Sequence, residues 1–237
     1  MADAKISENI EEYLEVLYRI GSNGEQVSTT QLSKDLKIAP GSVTQMLKKL
    51  EDLGYIVYTP YKGATLTDDG MKIAQKITRK HRILEKFLLE VLKIKEENVH
   101  EQACEMEHTL SDEAERALCT MLQHPDLCPD EHIIPACNFD FGSCQECFSQ
   151  KDFDQVMNRK FNLLSISELT STTEGTISFI RGSNDLLDRI SAEGIKIGQH
   201  LKYEFNENRV GNHYLVNIDD AELNIPVEMA HNIFIKV

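Results

Sequence analysis

Apolar residues recur at helical spacing from the start of the chain. Ile10, Tyr13, Leu14, Leu17 and Tyr18 share one face, which predicts an amphipathic helix over residues 10–20. Residues 21–26 break that pattern. Ser28-Thr29-Thr30 then caps a short helix whose inward positions are Leu32 and Leu36. Residues 37–41, Lys-Ile-Ala-Pro-Gly, read as a turn, and a third helix starting at Ser42 directs Val43, Met46, Leu47 and Leu50 inward and ends near Gly54. Two short strand-like runs, 55–58 and 64–67, are joined through Lys62-Gly63 as a hairpin. Helix, helix, turn, helix, hairpin is the order of a winged helix-turn-helix.

Helical periodicity resumes at Thr67-Asp68-Asp69-Gly70 and runs through Ile73, Ile77, Ile83, Leu84, Phe87 and Leu88 towards Val91. Two more helices are expected over 99–110 and 111–122, the second opened by Ser111-Asp-Glu-Ala-Glu. With no linker between them and the wing, these helices read as a helical, dimer-forming module. Residues 124–151 hold three prolines, four cysteines and Phe139, Phe141 and Phe148, and read as an irregular but anchored loop. From Asn162 the period changes to two. Strands are expected at 163–166, 175–180, 200–205, 213–218 and 232–237, with short helices at 184–192 and 226–230, so a small, partly open barrel of the SH3 type is the simplest arrangement. The expected class is mainly α with a β C-terminal domain. The expected division is a DNA-binding domain at 1–75, a helical metal-binding and dimerisation domain at 76–125, a Cys-rich linker at 126–160 and an SH3-like domain at 161–237.

Composition narrows the function. Of 237 residues, 41% are hydrophobic and 27% charged, an ordinary globular balance. No apolar run approaches the ~18 residues of a membrane span, and the acidic, amphipathic start does not fit a leader peptide. A cytoplasmic location without membrane contact is therefore expected, and there six cysteines are thiols or metal ligands before they are disulfides. The net charge of −14 is unevenly spread. Residues 26–93 hold twelve Lys and Arg against seven Asp and Glu, a local +5 that leaves −19 elsewhere. A basic segment in an acidic chain fits a DNA-binding domain attached to acidic ones.

In a winged helix-turn-helix the second motif helix enters the major groove. That places Pro40, Ser42, Thr44, Gln45 and Lys48 towards DNA. Gln45 can pair in bidentate fashion with adenine, and Ser42 and Thr44 can bond phosphates or base edges. Lys48, Lys49 and the wing's Lys62 supply salt-sensitive phosphate contacts. A winged helix used only for protein association is the competing interpretation of the same residues.

Metal-ligand chemistry is concentrated in the helices that follow. His81 and Glu85 lie four apart on one helix, hence on one face, and His100, Cys104 and His108 follow at intervals of four on the next, with Glu107 beside His108. Glu12 and Glu15 add carboxylates on the first helix. Imidazole, carboxylate and one thiolate suit a first-row divalent ion. Taken singly, each residue also fits a buried polar group or a solvated charge. No nucleophile or base beyond these ligands points to an enzyme.

The runs His81-Arg-Ile-Leu-Glu85, Val99-His100-Glu-Gln-Ala-Cys104-Glu-Met-Glu107-His108 and Asp112-Glu-Ala-Glu-Arg116 resemble the metal-site region of the diphtheria toxin repressor family, whose members are iron- and manganese-dependent repressors. The likeness extends over essentially the whole chain, from Glu12-Tyr13-Leu14-Glu15 to the terminal β region. It implies a homodimer on a palindromic operator in double-stranded DNA, controlling metal-uptake genes, with two metal positions per subunit. Cys104, Glu107 and His108 match the activating site, completed by Glu12, while His81, Glu85 and His100 match the ancillary one. Glu12 and Glu15 follow the manganese-type pattern and Cys104 the iron-type pattern. A thiolate is softer than Mn(II) prefers, so Fe(II) is favoured, with Mn(II) next. The segments Arg181-Gly-Ser-Asn-Asp185-Leu-Leu and Gly194-Ile-Lys-Ile-Gly198 resemble the SH3-like domain of iron-type members and the small accessory domain of ferrous-iron transport systems. Where iron-type members offer a Glu and a Gln to the ancillary site, this chain offers Asp185 or the neutral Ser183 and Asn184.

The resemblance does not account for Cys128, Cys137, Cys144 and Cys147, spaced C-x8-C-x6-C-x2-C. Four thiols can close a Zn(II) site or hold an iron–sulfur cluster, and a redox- or cluster-sensing regulator working through them is the rival functional reading.

Overall fold

The computed structural model describes residues 6–21, 26–150, 156–205 and 213–237. Two compact units divide the chain, Met1–Thr78 and Arg79–Val237.

In the first unit, helices α1 (Glu8–Ile20), α2 (Thr29–Asp35) and α3 (Pro40–Asp52) precede a hairpin of β1 (Ile56–Thr59) and β2 (Gly63–Leu66). A capping box starts α2: Ser28 Oγ accepts from the Gln31 N–H at 3.2 Å, and Gln31 Oε1 accepts from the Ser28 N–H at 2.8 Å. The third helix begins at Pro40, two residues before the position expected from its apolar pattern. Proline loses nothing at a helix's first position, where its missing N–H has no intrahelical partner anyway. Tyr13, Leu14, Leu17, Leu32, Val43, Leu47 and Leu50 form the core, with Met46 partly buried against it. Val27 bridges to Ala64 beside the hairpin, and Gly63, at φ 136°, passes so close that a Cβ there would lie 2.5 Å from the Val27 carbonyl oxygen.

Helix α4 (Asp68–Glu90) starts in the first unit and ends in the second. The second unit continues with α5 (Glu96–Glu107) and α6 (Asp112–Met121), the latter capped by Ser111 Oγ, which accepts from the Ala114 N–H at 3.1 Å. Within the Cys-rich segment, expected to be irregular, lies a short helix, α7 (Cys144–Ser149). Beyond it come β3 (Leu164–Ser165), β4 (Thr173–Ile180), α8 (Asn184–Ala192), β5 (His200–Tyr203), β6 (His213–Ile218), β7 (Ala221–Pro226), α9 (Val227–Ala230) and β8 (Ile233–Lys236). The six strands form one antiparallel sheet in the order β3-β8-β4-β5-β6-β7. The expected class, helical followed by a β-rich region, is the one observed.

Strand β7 is absent from the sequence reading. It pairs with β6 through a two-residue turn in which Asp219 and Asp220 have φ of 48° and 67°. Hairpin turns of that kind need positive φ at both central residues, usually met by Asn-Gly or Asp-Gly, so Asp-Asp gives a weak signal. Strand β8 is buried on both faces. Ile233 and Ile235 join the main β core, whereas Phe234 packs with Phe139, Phe179, Cys137 and Cys144 of a separate cluster. The Cys-rich segment thus covers the back of the sheet, and a strand covered on both sides reads as an unbroken apolar run.

Candidate metal centre

Helical spacing puts His81 and Glu85 on one face of α4, and His100 and Cys104 on one face of α5, with Glu107 closing α5 and His108 its C-cap. His81 is 5% exposed and each of its ring nitrogens faces a carboxylate: Nδ1 lies 2.6 Å from Glu107 Oε2 and Nε2 lies 2.9 Å from Glu85 Oε1. The exposed His100 meets this pair edge-on, its Nδ1 3.1 Å from His81 Nε2 and 3.3 Å from Glu85 Oε1. Cys104 Sγ stands 3.9 Å from His81 and 3.8 Å from His100, and the ligand atoms of these three residues all lie within 4.8 Å of one another. His108 Nε2 approaches Glu107 Oε1 at 3.3 Å. Burial by itself would raise the Glu85 carboxyl, but hydrogen bonds and positive charge from His81 and His100 outweigh it and hold the group below its ordinary value.

The six anticipated ligands that lie in the second unit therefore form one contiguous group, in which His81 touches members of both sites that the family pattern separates. The donor chemistry fits a divalent first-row ion: three imidazoles, a thiol and two carboxylates that are buried without a Lys or Arg partner among the described ion pairs. Glu12 and Glu15 lie on α1 in the first unit, Glu12 exposed and Glu15 half-buried.

On α3, Val43, Leu47 and Leu50 are fully buried, whereas Pro40, Ser42, Gln45, Lys48 and Lys49 are exposed. Thr44 is half-buried, and its hydroxyl donates to the Pro40 carbonyl at 2.9 Å. Lys62 is exposed in the wing turn beside Tyr61, a fully exposed aromatic with φ of 66° that the sequence reading passed over. A bare aromatic at a wing tip is suited to contact with a sugar–phosphate backbone. Among the loop cysteines, Cys137, Cys144 and Cys147 line one cavity, joined there by Cys119 of α6. Cys128 is not in that lining and packs instead with Ile83 and Ile134. No helix among the described residues is long and apolar enough to cross a membrane.

Profiles of known families cover most of the chain. The iron-dependent repressor N-terminal DNA-binding domain matches residues 5–64, the iron-dependent repressor metal-binding and dimerisation domain matches 67–136, and the FeoA domain matches 164–237. An uncharacterized HTH-type transcriptional regulator of Methanocaldococcus jannaschii is 48% identical over 109 residues, 46% of this chain and 87% of that protein. The HTH-type transcriptional regulator MntR of Lysinibacillus sphaericus is 31% identical over 123 residues, 50% of this chain and 88% of its own length. The iron-dependent repressor IdeR of Mycobacterium tuberculosis is 24% identical over 232 residues, 98% of both chains. Among solved structures, the metal-dependent transcriptional regulator MtsR superposes with a TM-score of 0.50 at 25% identity, covering 98% of this chain and all of its own. The manganese regulator SloR gives the same TM-score at 24% identity, over 98% and 99% of the two chains. The order of domains, the helical ligand group and these likenesses agree: the chain belongs to the diphtheria toxin repressor family of metal-dependent, DNA-binding transcriptional repressors.

Proposed function

We propose that the chain is a homodimeric repressor that binds a palindromic operator when loaded with Fe(II), with Mn(II) as second choice, and that it controls metal-uptake genes in the cytoplasm. One observation carries this reading: buried His81, flanked by Glu107 and Glu85, with His100 and Cys104 in reach. Histidine, carboxylate and thiolate donors rank ferrous iron above the harder manganese ion. Among the similar proteins, IdeR is named for iron and SloR for manganese.

In this reading His81, Glu85, His100, Cys104, Glu107 and His108 hold the ion, and the family pattern adds Glu12 and Glu15. When bound, the ion supplies positive charge that offsets the carboxylates and the thiolate. The remaining work belongs to the protein's own side chains. Ser42 and Gln45 face base edges, Lys48, Lys49 and Lys62 face phosphates, and α4 carries His81 and Glu85 on the same rod that leaves the wing at Asp68. Two subunits meet two half-sites about one helical turn apart, so ligand-dependent selection of one dimer geometry becomes operator affinity.

The test is fluorescence anisotropy on duplexes selected from a random pool with anaerobic Fe(II). Chelation should weaken binding at least ~10-fold, about 1.4 kcal/mol, Fe(II) should restore it at lower concentration than Mn(II), and Glu107→Ala should abolish the response. Operator affinity indifferent to chelation and to both ions would sink the reading.

A further inference from the structure

The cavity at the back of the sheet is built from elements far apart in sequence. Cys119 comes from α6, Cys137 from the chain before α7, and Cys144 and Cys147 from α7 itself. All four are buried, and the enclosed space between them is small, about 20 Å³. A neighbouring open groove shares Thr120, His124 and Cys144 with it, which provides a route inward.

Positive charge surrounds the thiols. Arg79, 2% exposed, donates to Cys119 Sγ at 3.1 Å and pairs with Glu115 at 2.7 Å. Arg181, 1% exposed, also lines the cavity, yet its hydrogen bonds all go to carbonyl oxygens, those of Ile134, His231 and the Asn232 side chain. Arg159, whose Nη1 donates to the Cys137 carbonyl at 2.6 Å, likewise bonds only carbonyls among the described residues, and its Nε has no hydrogen-bond partner there. Buried Glu115 answers Arg79, and the half-buried Asp126 and exposed Asp140 act on Arg181 and Arg159 from outside the cavity. Arg181 itself bonds no carboxylate among the described residues, and burying charge without a bonded counter-charge is unfavourable, so the cavity beside it suits an anionic occupant.

Sulfur spacing selects among such occupants. A single tetrahedral zinc, with Zn–S bonds of about 2.3 Å, needs its sulfurs about 3.8 Å apart. No three of these four sulfurs lie within 4.8 Å of one another. A polynuclear centre spreads the same four thiolates more widely, over several irons.

We infer that Cys119, Cys137, Cys144 and Cys147 ligate an iron–sulfur cluster in this cavity, with Arg79 and Arg181 offsetting its charge. Loading is a ligand exchange with a preassembled iron–sulfide core of charge 2+. Four S–H protons pass to solvent, four S–Fe bonds form as the carrier's ligands leave, and no electron is transferred. The product carries −2, against Arg79 and Arg181, two of the three arginines that line the cavity.

The test uses the full chain, purified without oxygen or reconstituted with Fe(II) and inorganic sulfide, then stripped of loosely held ions with a chelator. Acid-labile sulfide separates cluster iron from iron held by the His81 group. The expected result is iron and labile sulfide in equal amounts, at two or more per chain, with broad visible absorption. Cys119→Ser should lose both the sulfide and the absorption, and Cys128→Ser should keep them. Metal-dependent operator binding by Cys119→Ser separates loss of the cluster from loss of the fold. Should that variant fail to fold, Cys147→Ser at the end of α7 gives the same readout. Zinc without labile sulfide, no retained metal, or sulfide that survives Cys119→Ser and disappears in Cys128→Ser would each overturn the inference.

Discussion

Asp126 joins the Cys-rich segment to the sheet through two neighbouring residues. Its carboxylate lies 3.6 Å from His231 Nδ1 and accepts a long hydrogen bond from Asn232 Nδ2 at 3.4 Å, and its carbonyl accepts from the Ile134 N–H at 2.7 Å. The bond with His231 holds its carboxyl down at about 2, against an ordinary 3.8. A depressed carboxyl contributes stability that is fully present above its unfolded value and lost as pH falls through the folded one. Asp126→Asn should therefore be less stable than the parent at neutral pH, with the gap closing between pH 3.8 and about 2 in urea unfolding. Because the group is partly exposed, the gap should stay under ~1 kcal/mol. Single residues were also where the sequence said least. Cys119 sits beside Leu118 on α6 and reads as a small core residue, since nothing in one helix's spacing shows which distant cysteines it will meet. Arg79 and Arg181 look like ordinary surface charges, and only the packed chain reveals them at 2% and 1% exposure.

Elements with a regular period were legible, and those depending on turn chemistry were less so. The α1 stripe, the His81/Glu85 pair and the His100/Cys104 pair follow from a 3.6-residue repeat, which is why six ligands could be named before any contact was known. Helix α7 is only six residues long, too short for periodicity to register, and its start depends on Ser143 Oγ accepting from the Glu146 N–H. At the other end of the scale, Gly70 shows how closely α4 packs on the wing: a Cβ there would lie 1.9 Å from the Tyr55 carbonyl oxygen. Gly70→Ala cannot be relieved by a side-chain rotation, because the obstacle is backbone. It should destabilise the first unit by roughly 1–3 kcal/mol, read as a lower melting temperature and weaker operator binding at unchanged metal affinity.

Across the whole molecule charge is segregated, +5 over residues 26–93 and −19 over the rest. The acidic remainder repels duplex DNA, so binding relies on the local basic face and on counterion release. If Lys48, Lys49 and Lys62 each neutralise one phosphate in both subunits, about six contacts give a log–log salt slope near −5 and a loss of roughly 10³-fold between 50 and 200 mM salt. Lys48→Ala should reduce the magnitude of that slope by about two, measured by anisotropy titration across salt. A slope near zero would remove these lysines from the interface.

The strand that closes the sheet also sets a timetable. Strand β8 lies between β3 and β4, yet it follows every other strand of the sheet in sequence. At roughly 5–20 residues per second of synthesis, the ~90 residues from α7 to β8 take on the order of five to twenty seconds. During that interval Phe234 is not yet in place to shield Cys137 and Cys144. The nascent chain therefore passes through a window in which its thiols are open to oxidants and adventitious metals, a window that ends only when the last strand is threaded into the middle of the sheet.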